Sequence, residues 1–234
     1  MGNKAGEGGA YGNLGIAYKG LGDFKQAIEY HMKHHHIAKE LGDKYGEAQA
    51  YVNLGNAHFS MGNLNKAIEY HTQRRSIAIE LGDKIGEGKA CFRLGCDYAS
   101  SGALHDAVDY FKASVKLLNG VRALLQSKDV WKINFRTTCQ DAYDALWRTL
   151  IELEQADEAL LVAERGKAQG LLDLMKLKYD SQLPVSGPLE PGATIPSILS
   201  VTSTQTIFVA FEGNKVALWV PHKGKNVQFR QRGN

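Results

Sequence analysis

The run HMKHHH (His31 to His36) sets His31 and His35 at i and i+4, on one face if the segment is helical. That spacing could chelate a transition metal. No third ligand stands at a matching interval, and His71 repeats His31 forty residues on. A periodic residue of this kind points to packing, so no metal and no cofactor are expected. Cys91, Cys96 and Cys139 form no disulfide framework, and Cys139 makes no recognisable dyad with His105 or His222. The segment ERGKAQG lacks the Gly-x4-Gly-Lys-Ser/Thr pattern of a phosphate loop. Asp157 and Glu158 open an expected helix, where the dipole favours acids without any catalytic role. The residue types support binding better than catalysis, and an enzyme is not expected. Asn13, Gln49, Asn53 and Asn56 carry amides that donate and accept at once, able to grip a peptide backbone. Lys89 and Arg93 would favour a carboxylate on the same ligand, arginine with two-pronged geometry.

These six residues acquire a common setting from an internal repeat. LGDKYGE (Leu41 to Glu47) returns as LGDKIGE (Leu81 to Glu87), forty residues later. Ala10 to His31 and Ala50 to His71 agree at twelve of twenty-two positions with the same offset. A third copy, Ala90 to Phe111, keeps Ala90, Leu94, Gly95, Gly102, Ala107 and Tyr110. Each unit reads as two helices. Gly42 ends one helix and Asp43 caps the next, while Gly62 turns the chain and Asn63 is expected to cap the second. Tyr51, Leu54 and His58 then fall on one side of the first helix, and Cys91 takes the core-facing place of Tyr51. One hairpin of this kind has two apolar flanks and buries them only by stacking on neighbours.

The candidate binding residues lie on the first helix of each unit, opposite Leu54. Asn13 and Ile16 belong to the first unit, Gln49, Asn53 and Asn56 to the second, and Lys89, Arg93 and Cys96 to the third. A diverged fourth pair starts at Ala142, after an insertion near Asn119 to Val130, and its last helix runs to about Lys178. Four of the five prolines fall between Tyr179 and Ser197. Beyond them QTIFVAFEGNKVALWVP has two β-rich runs joined by EGNK, a hairpin signal. The expected architecture is an all-α solenoid of four helix pairs over 1–178, a linker over 179–197, and a strand-based module over 198–234. The hairpin's edges are open to self-association.

Composition narrows the function classes. The net charge of +3 leaves no footprint of a nucleic-acid binder. The basic run Gly213 to Asn234 reads as a solvated hairpin and tail. No apolar run approaches membrane-spanning length, so no membrane partner is expected. Cysteine usage and the lack of a signal peptide suit a reduced cytoplasmic setting.

The Leu54-Gly55 pair, Ala67 and the two-helix unit resemble tetratricopeptide repeats. The forty-residue form, with NLGNA, KAIEYH and LGDK, is similar to the long subclass found in Pins-type spindle-orientation proteins. AERGKAQGLLDLM (Ala163 to Met175) resembles the helix that joins such repeats to a CHAT domain, a caspase- and separase-like module. LWVPHKGKNVQFRQ (Leu218 to Gln231) resembles that domain's opening strands, and none of its catalytic positions can be carried onto this sequence. Gly2 to Tyr11 aligns with Gly42 to Tyr51, so the chain reads as a fragment cut at both ends. The resemblance implies a right-handed superhelix, a protein-binding scaffold, and a setting in cell division or the cytoskeleton. The alternative it implies is the regulatory front part of a CHAT-type cysteine peptidase. On either reading the expected partner is a protein or peptide segment with acidic residues.

Overall fold

The computed structural model describes residues 3–124, 132–179, 208–212, 215–222 and 225–233, with side-chain surroundings over 3–122 and 137–167. Two compact units divide the chain, residues 1–124 and 125–234. The first holds six helices: α1 (Lys4–Gly20), α2 (Phe24–Glu40), α3 (Lys44–Ser60), α4 (Leu64–Glu80), α5 (Lys84–Ser100) and α6 (Leu104–Leu124). Each packs on the next in sequence, and α1 also touches α3. This is an all-helical repeat solenoid of helix pairs.

The sequence repeats every forty residues, and the backbone repeats every twenty. Gly22, Gly42, Gly62, Gly82 and Gly102 all have positive φ, between 66° and 83°. Such angles cost an L side chain strain that glycine escapes. At the first corner the Asp23 N–H donates to the Tyr18 carbonyl and Gly22 N–H to that of Lys19, and the other four repeat this pattern. These paired bonds satisfy carbonyls that a helix end leaves orphaned. The next helix then starts at once. Asp23, Asp43 and Asp83 each accept the N–H three residues on, at 3.1, 2.9 and 2.8 Å. Asn63 sits at the N-cap of α4 but its side chain makes no capping bond, unlike the role expected for it.

The core is built from small residues facing large ones. Ala27, Ala67 and Ala107, forty residues apart, are completely buried. Gly15 meets the His31 ring, Gly55 the His71 ring and Gly95 the Phe111 ring, so closely that a Cβ at any of them would overlap its partner. Leu54 and Leu94 are fully enclosed. A ladder of rings lines the seams between paired helices. Tyr30 stacks on Tyr18 at 5.2 Å, Tyr70 on His58 at 5.5 Å, and Tyr110 on Tyr98 at 5.2 Å. Contact between aromatic faces adds about 0.5–1.5 kcal/mol per pair beyond the area buried.

The second unit contains α7 (Lys132–Glu152) and α8 (Ala156–Tyr179), which pack on one another. Ala142, Leu146, Leu150, Ala159 and Leu160 form part of their buried seam. The unit also has three strands, β1 (Phe208–Glu212), β2 (Lys215–His222) and β3 (Lys225–Gly233), antiparallel in the order β1-β2-β3. Phe208 pairs with Trp219 and Glu212 with Lys215, while a bulge breaks the β2–β3 register between Val220 and His222. Apart from Tyr179, the linker expected over 179–197 lies outside the described residues, as does much of the insertion expected near 119–130.

Candidate peptide-binding surface

The six candidate binding residues sit where their helices leave a stripe uncovered. On α3 the buried positions are Ala48, Ala50, Leu54, Gly55 and Ala57. Gln49 is exposed, with Asn53 and Asn56 half-buried beside it. Their spacing, i, i+4 and i+7, keeps them on one face over about 10 Å of helix. Asn13 on α1 is exposed, and so are Lys89 and Arg93 on α5. Because the helices repeat in register, three rows result: Gly9, Gln49 and Lys89; Asn13, Asn53 and Arg93; Ile16, Asn56 and Cys96.

The rows are graded in chemistry. At α1 they offer one amide, Asn13, and exposed apolar surface at Ile16, 54% accessible. On α3 they offer amides. On α5 they offer two cations, neither engaged in an ion pair among the described residues. The Arg93 guanidinium lies 5.8 Å from the Phe92 ring centre, near enough for a cation–π contact. Phe92 in turn packs on Phe111 at 5.9 Å, which steadies the platform from below. Exposed aromatics on α3, Tyr45 at 67% and Phe59 at 37%, extend the apolar surface near the amides. Helical period alone places both off the buried stripe of α3, on the side of Gln49 and Asn56.

The histidines do not converge. His31 is fully buried against Gly15, while His35 turns to Tyr51 at 4.7 Å between ring centres. Among the described residues no group of three or more His, Cys, Asp or Glu could hold a metal. Burial drives the His31 pKa down to about 4, so its ring is neutral at pH 7. Burial also lowers the pKa of His34, His35 and His58, with Glu47 partly offsetting the effect at His35.

One polar contact was not anticipated. His71 Nδ1 lies 2.6 Å from Asp97 Oδ2, and both side chains are 1% exposed. Asp97 occupies the register of Ala57, so an acid replacing a small apolar residue one unit on was its only trace in the sequence. The pair joins α4 to α5. The other His71 nitrogen faces Gly55 and has no hydrogen-bond partner. The dyad therefore has no route to a substrate. Cys91, also fully buried, has its thiol pKa raised by burial, which suits a packed side chain and not a nucleophile.

Comparison with known proteins agrees with this architecture. The tetratricopeptide repeat family model matches residues 7–80 and again 46–119. No curated protein sequence matches the chain. Three solved structures illustrate the likeness of fold. Aspartyl phosphate phosphatase F from Bacillus subtilis is 16% identical with a TM-score of 0.62, covering 86% of this chain and 49% of its own. BtubC (BKLC) from P. vanneervenii is 16% identical with a TM-score of 0.63, covering 83% and 74%. The Rap conjugation gene regulator of the plasmid pLS20, in complex with the Phr* peptide, is 18% identical with a TM-score of 0.54, covering 78% and 50%. This chain thus spans about half the length of the first and the third. Over residues 7–119 the chain carries tetratricopeptide repeats.

Proposed function

We propose that this protein is a non-catalytic scaffold that seats a partner's peptide segment on the uncovered stripe of α1, α3 and α5. On this reading the pairs wind into a right-handed superhelix and the stripe lines its inner wall. One observation carries the proposal: six side chains at repeating register positions stand exposed or half-exposed with no hydrogen bond or ion pair among the described residues. Asn53 and Asn56 would hold the peptide backbone. Lys89 and Arg93 would take an acidic side chain, and Gln49 and Asn13 would extend the grip along the rows. The peptide-bound Rap regulator shares the fold, which supports seating a peptide on such an array.

The finer reading draws on sequence resemblance. The forty-residue unit together with Ala163 to Met175 resembles tetratricopeptide repeat protein 28, which favours a cytoplasmic role in cell division or cytoskeletal organisation. The same segment motivates the second reading, a regulatory part of a CHAT-type cysteine peptidase. A binding test separates function from fold. Acidic peptides selected on the full chain from a display library should lose about tenfold or more in affinity for the Asn53→Ala, Arg93→Ala double variant. Binding that ignores both substitutions would remove the proposal.

A further inference from the structure

The charges of α5 do not balance on its exposed face. Its N-cap acid Asp83 lies 3.2 Å from the Arg74 guanidinium, Glu87 lies 2.9 Å from the Lys84 ammonium, and Asp97 is bonded to His71 inside the core. Every acid of the helix and of its N-cap is thus engaged. Lys89 and Arg93 stay exposed, and neither has an ion pair among the described residues. The repeat does not ask for these cations. Gly9 and Gln49 stand at the register of Lys89, and Asn13 and Asn53 at that of Arg93, so both positions are uncharged in the two preceding units. Two like charges one turn apart also weaken a helix instead of supporting it. Neither packing nor helix formation accounts for the pair.

The geometry suits one doubly charged group. Residues four apart on a helix have Cβ atoms about 5–6 Å from one another, and both side chains are long enough to close on a single anion. The Phe92 ring steadies Arg93, with 5.8 Å between the guanidinium carbon and the ring centre. An aspartate or glutamate side chain brings one negative charge and leaves one of the two cations unmatched. A phosphate monoester brings a charge of about −1.5 to −2 at pH 7 and three acceptor oxygens. We infer that Lys89 and Arg93 form a phosphate subsite of the stripe, filled by a phosphoserine or phosphothreonine of the partner segment. Arg93 takes two phosphate oxygens in a forked pair, and Lys89 supplies the second charge. The Asn53 amide, at the same register on α3, holds the adjoining backbone. This inference rests on the peptide-binding reading of the stripe and adds the identity of the group held at α5.

The test uses the full chain and peptide libraries with a fixed central phosphoserine, glutamate or serine between degenerate flanks. The tightest phosphoserine peptide is then made in all three forms and titrated by fluorescence anisotropy. It should bind about tenfold more tightly than its glutamate form, and the serine form should bind more weakly still. Lys89→Ala should erase the advantage of phosphate over glutamate, whereas Asn53→Ala should weaken both forms alike. Lys89 is exposed, and an unchanged circular-dichroism melt shows that the fold is intact in its variant. Because a phosphate monoester takes up its second proton near about pH 6, lowering the pH from about 7.5 to about 5.5 should weaken the phosphopeptide more than the glutamate form. A glutamate form that binds as tightly as the phosphoserine form, or a phosphate preference that survives Lys89→Ala, overturns the inference and leaves the peptide stripe standing. Failure of every library to bind overturns the stripe itself, and the subsite with it.

Discussion

His31, His71 and Phe111 occupy one register position, and each solves the same packing problem with different polar consequences. All three rings fill the notch above a glycine of the paired helix. Phe111 brings no polar atom, His71 has Asp97, and His31 has no partner for either nitrogen. An unpartnered buried polar group costs about 1–3 kcal/mol. His31→Phe is therefore expected to stabilise the protein by about 1–2 kcal/mol in urea unfolding. His71→Phe is expected to destabilise it by about 3 kcal/mol or more, because Asp97 would remain buried without its partner. Acid should act through His31 as well. Its folded pKa of about 4 lies below the unfolded value of 6.5, so between them the unfolded chain binds the extra proton. Stability is then complete above about pH 6.5 and falls as the pH drops towards 4, by up to about 3 kcal/mol from this group. Unfolding measured across that range should be less pH-dependent in His31→Phe. The periodicity of the histidines was legible in the sequence, and so was their packing role. The split between a paired and an unpaired ring was not, since it hangs on Asp97 reaching across to a different helix.

The corners decide how the helices are set out, and they were the most legible feature of the chain. A left-handed residue at the end of a helix asks for glycine, and a glycine followed by Asp or Asn marks four of the five corners, whereas the Leu-Gly steps at Gly15, Gly55 and Gly95 lie inside helices. The same corner ends α7, where the Gln155 N–H donates to Leu150 O and the Glu154 N–H to Ile151 O. There the left-handed residue is Glu154, with φ of 60°, and no glycine marked it. Removing that strain outweighs the entropic cost of glycine at a position already fixed in the left-handed region. Glu154→Gly is expected to raise the stability of the α7–α8 pair by about 0.5–1 kcal/mol, read as slower amide exchange in those helices. Gly42→Ala should do the reverse, costing about 1 kcal/mol in the first unit. The twenty-residue spacing of the corners was harder to see than the forty-residue repeat. Alternate helices share their turn chemistry but present different faces, so their sequences diverge everywhere except at the glycine.

At the scale of the whole molecule, a repeat array spends its apolar residues on contacts between neighbours and leaves one stripe of each first helix to other uses. Helices, turns and the residues of that stripe followed from period and turn chemistry. The change from uncharged Ile16 and Asn53 to cationic Lys89 and Arg93 gives the proposed peptide a direction, with its acidic residue held at α5. Since Lys89 and Arg93 are exposed, that attraction is screened by salt, and affinity should fall as ionic strength rises through about 0.1 M. The most direct test is a double-mutant cycle between Arg93→Ala in the protein and an acidic residue replaced by alanine in a selected peptide, read by calorimetry. The account predicts a coupling of about 1 kcal/mol or more for one acidic position. Additive losses at every acidic position would contradict it.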